Sequence, residues 1–257
     1  MRSVYKVLVC CGRVSYRIPP PDGTNHPATP YRLSSNSSLS WSDVMMANME
    51  DYIAKTIRAY DDTKTYEDGT RGLVPKLELD EFIAMLKPQP YVLDAGCAFG
   101  RDTEYITGKG HRVEGIDLSP ALIARAKELY PSGSFAVKDV RDTGFGDNMF
   151  DGIWCNATLL HLKDEDIVKA LKEFHRVLKP GGILAVSLKK GEGTQEFVES
   201  FSSKAERFFN FKTHETFLEQ LEATNFKETT WHYLNERERY GQDKRDLDWL
   251  YSFASKV

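Results

Sequence analysis

The chain has 257 residues, enough for one sizeable α/β domain with an appendage but short of two comfortable full domains. Its 41% hydrophobic and 28% charged content is that of a globular protein, and a net charge of −4 gives no general attraction to nucleic acid or to an anionic membrane. No apolar run approaches the ~20 residues of a membrane-spanning helix. The run near Met1–Cys11 lacks a cleavage signature, and four cysteines without C-x-x-C spacing argue for a reducing, cytoplasmic setting.

Residues 12–44 are rich in proline and serine and poor in large apolar side chains, so their ordering entropy has little burial to offset it. This predicts a flexible N-terminal extension over residues 1–48 and a single folded domain over 49–257. Helical periodicity begins at Met49–Ala59, where Met49, Tyr52, Ile53 and Ile57 share a face, and returns at Pro75–Leu86 with Leu77, Leu79, Phe82, Ile83 and Leu86. Between them a loop carries Tyr60 and Tyr66. Their rings either pack the helices together or cover a bound ligand, since an aromatic face favours a cation.

The densest signal is Tyr91-Val-Leu-Asp94-Ala-Gly96-Cys97-Ala98-Phe-Gly100. A short apolar strand ends in a carboxylate, two glycines permit a tight turn, and Arg101–Thr107 continues as a helix. Strand, glycine turn and helix is a nucleotide-site layout. Asp94 restricts the ligand: a carboxylate two residues before the first glycine repels a pyrophosphate and suits a cationic, phosphate-free compound. Cys97, inside the turn, reads more simply as a small apolar filler than as a reactive thiol.

A second strand, Arg112–Ile116, ends in Asp117, 21 residues after Gly96 and suitably placed to accept ribose hydroxyls. Leu118 follows, Ser119 caps the next helix, and Pro120 takes its first position. Ser134–Lys138 reads as a strand ending in Asp139-Val140, where a carboxylate and an apolar neighbour suit an adenine ring. Phe150–Cys155 leads to Asn156 and His161, Asp164–Leu178 is an amphipathic helix stopped by Lys179-Pro-Gly-Gly182, and Ile183–Leu188 is a fifth strand.

Alternating strands and helices predict parallel βαβ units, with Asp94, Asp117, Asp139 and Asn156 gathered at the carboxyl ends of the strands. Further on, Phe208-Phe209-Asn-Phe211 precedes a helix over Glu215–Ala223. Phe226–Leu234 and Trp249–Ser255 read as an antiparallel pair. The charged stretch between them reads as a solvated loop.

Val92-Leu-Asp-Ala-Gly-Cys-Ala-Phe-Gly100, Gly115-Ile-Asp-Leu-Ser-Pro120, Asp139-Val140, Phe150-Asp-Gly-Ile and Arg176-Val-Leu-Lys-Pro-Gly-Gly182 together resemble the class I S-adenosylmethionine-dependent methyltransferases. The resemblance covers roughly residues 50–257. It implies a Rossmann-like, mostly parallel seven-stranded sheet, helices on both faces, and an antiparallel last strand. It also implies that Asp94, Gly96 and Gly100 hold the methionine end of S-adenosylmethionine, Asp117 its ribose, and Asp139 and Val140 its adenine. Ala98 departs from a frequent glycine; a methyl group there asks for a backbone alanine tolerates. A narrower line from His161 through Gly191-Glu-Gly193 and Arg207-Phe-Phe to Trp249-Leu is similar to small-molecule methyltransferases of the tellurite-resistance type.

The expected activity is methyl transfer to a small-molecule acceptor by a monomer or homodimer, without nucleic acid, membrane or metal. Cys97, Ala98, Leu118 and Asn156 complete the expected cofactor set. His161, with an ordinary pKa near 6.5, is the candidate base. Tyr60, Tyr66, Arg207 and Phe208 are the candidate acceptor contacts, Arg207 favouring an anion. An NAD(P)-dependent oxidoreductase and a non-catalytic cofactor-binding subunit remain open alternatives.

Overall fold

The computed structural model describes residues 8–10, 13–15, 50–199 and 205–257. The chain divides into two compact units, Met1–Ala47 and Asn48–Val257. In the first, β1 (Leu8–Cys10) and β2 (Arg13–Ser15) pair antiparallel with Val9 opposite Val14. The rest of the expected flexible extension lies outside the described residues.

The second unit opens with α1 (Asp51–Arg58), α2 (Thr63–Thr70) and α3 (Lys76–Met85). The loop expected around Tyr60 and Tyr66 is partly helical. Asp62 caps α2, its side chain accepting from the Thr65 amide at 3.1 Å, so Tyr66 rides on a helix rather than a loop. Then come β3 (Tyr91–Ala95), α4 (Arg101–Gly108), β4 (Arg112–Asp117), α5 (Pro120–Leu129), β5 (Ser134–Val137), β6 (Phe150–Asn156), α6 (Asp164–Val177) and β7 (Leu178–Lys189). Ser119 caps α5 as expected, its hydroxyl accepting from Leu122 N at 3.2 Å. β7 begins earlier than its sequence implied. Leu178 already pairs with Phe150, and the Pro-Gly-Gly segment is taken up by a register shift before Gly152 meets Ile183.

Two further elements were not expected. Phe208–Phe211 does not simply precede a helix: β8 (Thr194–Val198) and β9 (Glu206–Asn210) form a separate antiparallel pair. After α7 (His214–Glu222) and β10 (Phe226–Asn235), the charged stretch holds a short helix, α8 (Glu236–Tyr240), capped by Asn235. It is not merely solvated, because Glu236 is buried. The chain closes with β11 (Asp248–Lys256).

The main sheet runs β10-β11-β7-β6-β3-β4-β5. Five strands, β3 to β7, are mutually parallel, and β11 lies antiparallel between β7 and β10. Strand order reverses between β3 and β6. A crevice opens at such a switch point because the connections leave in opposite directions, and ligands bind there. The core is apolar and closely filled, with Phe82, Phe150, Trp154, Phe174 and Phe253 wholly enclosed. Ile167, Leu171 and Phe174 on α6 supply the apolar stripe its periodicity promised.

Candidate cofactor and acceptor site

The carboxyl ends of β3, β4, β6 and β7 border two adjoining cavities of about 110 and about 100 Å³. Tyr60, Tyr66, Gly96, Ala98, Asn156 and His161 line both. The smaller also takes in Asp117, Leu118, Asp139 and Val140. The larger takes in Asp94, Cys97, Arg101, Lys189, Arg207 and Phe209. The expected cofactor residues, with Gly100 in the turn beside them, are thus brought to one rim by strands far apart in sequence.

The turn after β3 is held by the chain itself. Gly96 N and Cys97 N both donate to Ile116 O, at 2.7 and 2.9 Å, Gly100 N donates to Cys97 O at 2.9 Å, and Ala98 N donates to Asp117 Oδ2 at 3.0 Å. These amides are therefore engaged, where a pyrophosphate-binding turn would aim them at its ligand. Gly96 and Gly100 have φ of +89° and +86°. Ala98 also sits in the left-handed region, at φ +49°, a backbone conformation that alanine tolerates only at a cost. An L-residue in that conformation loses roughly 1–2 kcal/mol, so Ala98→Gly is expected to raise stability by about 1 kcal/mol. Denaturant unfolding of the two proteins measures it, and an unchanged midpoint would refute the strain.

Asp94 is 1% exposed and accepts from Thr103 Oγ1 at 2.6 Å. Burial, helped by the neighbouring Asp102 charge, pushes its pKa up to about 8. Asp102 faces the same burial but is held below the usual carboxylate range by Arg101, which donates from Nε at 2.7 Å, and by Trp154 Nε1 and Asn156 Nδ2, at 3.0 and 2.9 Å. With Arg101 favouring the ionised form of Asp102, Asp94 is the member of the pair that holds a proton more readily. Asp117 is likewise raised by burial, against hydrogen bonds from the Ser119 and Ala98 amides. Asp139 lines its cavity while Arg141 grips it from Nε and Nη2 at 3.1 and 2.8 Å, and Arg141 reaches on to Asp166. Cys97 packs with Ile123, Ala126 and Phe135, its thiol pushed up by burial, in keeping with a filler.

His161 ends a single 3-10 turn after β6. Its Nδ1 lies 2.7 Å from the Phe208 carbonyl, which can only accept, so Nδ1 carries the proton and Nε2 accepts from Tyr60 OH at 2.8 Å. Tyr60 OH in turn accepts from Arg207 Nη1 at 2.7 Å. Burial, then the Arg207 charge, lowers the histidine pKa to about 3. His161 is thus neutral across the ordinary range, with both nitrogens engaged, rather than titrating near 6.5 as its residue type implied.

Arg207 is 2% exposed and faces the cavity, but Phe208 does not. Successive strand residues point to opposite sides. Phe208 packs edge-on against Tyr52, with centroids 5.0 Å apart, while Phe209 takes the cavity side, 4.9 Å from the His161 ring. Lys189, Glu199 and Arg245, absent from the expected set, also border the larger cavity. Lys189 had a legible signal, since it ends a strand whose neighbours end in site residues. Glu199 and Arg245 had none, arriving from connections remote in sequence. Among the described residues no cluster of metal-binding side chains occurs, and no helix is long and apolar enough to cross a membrane.

Residues 93–186 match the family model described as a methyltransferase domain. The chain is 39% identical over 106 residues, 40% of its length, to 2-methyl-6-phytyl-1,4-hydroquinone methyltransferase of Synechocystis sp., and 35% identical over 138 residues, 51% of its length, to phosphoethanolamine N-methyltransferase 1 of Zea mays. These matches span 33% and 26% of the relatives' own length. In fold it resembles 1,6-didemethyltoxoflavin-N1-methyltransferase of Burkholderia thailandensis, with a TM-score of 0.59 and 21% identity over 99% of this chain and 100% of that one.

Proposed function

We propose that the domain over residues 49–257 transfers a methyl group from S-adenosylmethionine to a small-molecule acceptor by in-line displacement. The observation that carries this reading is the ring of Asp94, Asp117 and Asp139 around adjoining cavities at the sheet's switch point, beside a glycine turn whose amides are already engaged. Such a rim repels a pyrophosphate and fits an adenosine compound bearing an ammonium and a sulfonium. That fit favours S-adenosylmethionine over a nicotinamide dinucleotide. The cofactor supplies an activated methyl carbon, and the protein's part is alignment and exclusion of water.

In this reading Asp94, Gly96, Cys97, Ala98 and Gly100 border the methionine end. Asp117 accepts from the ribose, Leu118 and Val140 flank the adenine, Asp139 receives its amino group, and Asn156 holds Asp102 in place. Tyr60 is the hydroxyl that meets the acceptor; His161 and Arg207 orient it, so His161 acts through Tyr60 rather than as a free base. Tyr66 and Phe209 wall the acceptor space, with Phe208 supporting from behind. The relatives' names range from a hydroquinone to phosphoethanolamine, which supports a small acceptor without choosing the atom. We further propose a cytoplasmic monomer or homodimer acting without nucleic acid, to be checked by sedimentation and by titration with DNA and RNA.

Calorimetric titration with S-adenosylhomocysteine, and with NADH as the control, tests the cofactor. Asp94 adds a signature. Its raised pKa means the folded chain holds a proton at pH 7 that an arriving ammonium should expel. Binding at pH 7 is therefore expected to release up to about one proton, read from heats in buffers of different ionisation enthalpy, and release should fade above pH 9. Asp94→Asn mimics the protonated form, so it should keep the fold, lose the release and bind weakly. Release unaffected by that substitution would remove Asp94 from the ammonium site.

A further inference from the structure

Three cations from three separate elements meet one carboxylate inside the larger cavity. Lys189 at the end of β7, Arg207 on β9 and Arg245 in the connection before β11 all bind Glu199, which directly follows β8. Arg207 Nη2 lies 2.6 Å from Glu199 Oε2. Lys189 is 2% exposed, and its ammonium stands 3.8 Å from the centroid of the Phe209 ring. Arg245 is steadied from behind by Glu236, to which it donates from Nε at 3.0 Å and from Nη2 at 2.5 Å. All these groups lie on the wall that Tyr60 and His161 share, so whatever enters to be methylated meets them.

Convergent guanidinium and ammonium groups, backed by an aromatic face, form a receptor for an oxyanion. In this protein the oxyanion is the chain's own, carried by the residue that directly follows β8, a strand outside the main sheet. Replacing one carboxylate by another leaves the charge of the buried cluster unchanged, and a phosphate adds at most about one negative charge among three cations, whereas a neutral molecule gains nothing by displacing the carboxylate. We propose that Glu199 is an internal stand-in for the acceptor, and that the acceptor is a small molecule bearing a carboxylate or phosphate, which takes the Glu199 position among Lys189, Arg207 and Arg245. The proposal rests on the methyltransferase reading above and names the substrate class of that site.

The test uses the full chain with S-adenosylhomocysteine bound, titrated with inorganic phosphate and separately with benzoate, following Trp249 fluorescence and calorimetry. Glu199→Gln removes the competing charge, so affinity for the preferred anion is expected to rise about tenfold over wild type. Lys189→Met is expected to lower it by a similar factor. A preference for phosphate or for benzoate identifies which oxyanion is meant. A folded Glu199→Gln protein that binds neither anion more tightly than wild type overturns the proposal and leaves Glu199 a permanent counter-ion. Should that variant not fold, Glu199→Asp and wild type decide: saturable binding of either anion, tighter in the shorter carboxylate, upholds the proposal, and its absence rejects it. Failure of wild type to bind S-adenosylhomocysteine would instead indict the methyltransferase reading.

Discussion

Gly96→Ala is expected to destabilise the protein by about 3 kcal/mol and to weaken S-adenosylhomocysteine binding by about a hundredfold. Two costs add. At φ +89° a side chain is strained whatever the space around it. A Cβ built there would also overlap Thr158: it meets the hydroxyl first and lies only 2.7 Å from the Thr158 Cβ, so rotating that side chain gives no relief. The backbone must shift, and this backbone sets the Ala98 amide against Asp117. A cycle with Thr158→Gly separates the terms: the double mutant should recover the overlap cost but not the strain. Full recovery, or a single mutant of unchanged stability and affinity, would contradict this account.

If Tyr60 meets the acceptor as proposed, Tyr60→Phe is expected to lower turnover by roughly 10²-fold or more while leaving cofactor affinity near wild type. His161→Asn should lower turnover too, through loss of the partner that aims Tyr60. Its pH behaviour distinguishes aiming from base catalysis. With the histidine pKa down at about 3, the wild-type rate profile should show no inflection near 6.5. An inflection there that vanishes in His161→Asn would restore the base.

Stability supplies a second readout. The unfolded chain takes up a proton below about pH 6.5 that the folded chain refuses until about pH 3, so folding loses free energy as pH falls through that window. At about 1.4 kcal/mol per unit, wild type should lose up to about 3 kcal/mol by pH 4 from this residue alone. Measured unfolding free energies of His161→Asn should lack that component.

The parallel half of the sheet was legible because each strand there announces itself twice, by an apolar run and by a polar residue at its end. That rule points to Asp94, Asp117, Asp139 and Asn156, which line the cavities, and equally to Lys189 at the end of the next strand. The β8–β9 pair was missed because β8 has little apolar alternation: Gln195 and Glu196 are exposed, and the pairing partner lies across a connection. That omission carried through to Phe208. Once Glu206–Asn210 is known to be a strand, alternation puts Arg207 and Phe209 on one side and Phe208 on the other. Ala98 was legible as an oddity but not as a strained one, since residue type alone does not give φ. The His161 environment was illegible for a different reason. Its neighbours Tyr60, Phe208 and Arg207 come from distant segments, and only their meeting turns an ordinary imidazole into one that resists protonation.

The position of β11 constrains how the molecule assembles. β10 precedes it in the chain, yet β7 and β10 are joined only through it, so an earlier-made strand waits for a later one to be threaded between them. Until then β7 presents an unpaired edge, the kind of template on which chains mispair. Trp249 and Tyr251 travel on that same strand and complete the cavity wall. Closure of the sheet and completion of the cavity wall are therefore one event, and a nascent chain has no finished cavity to fill before its architecture is secure.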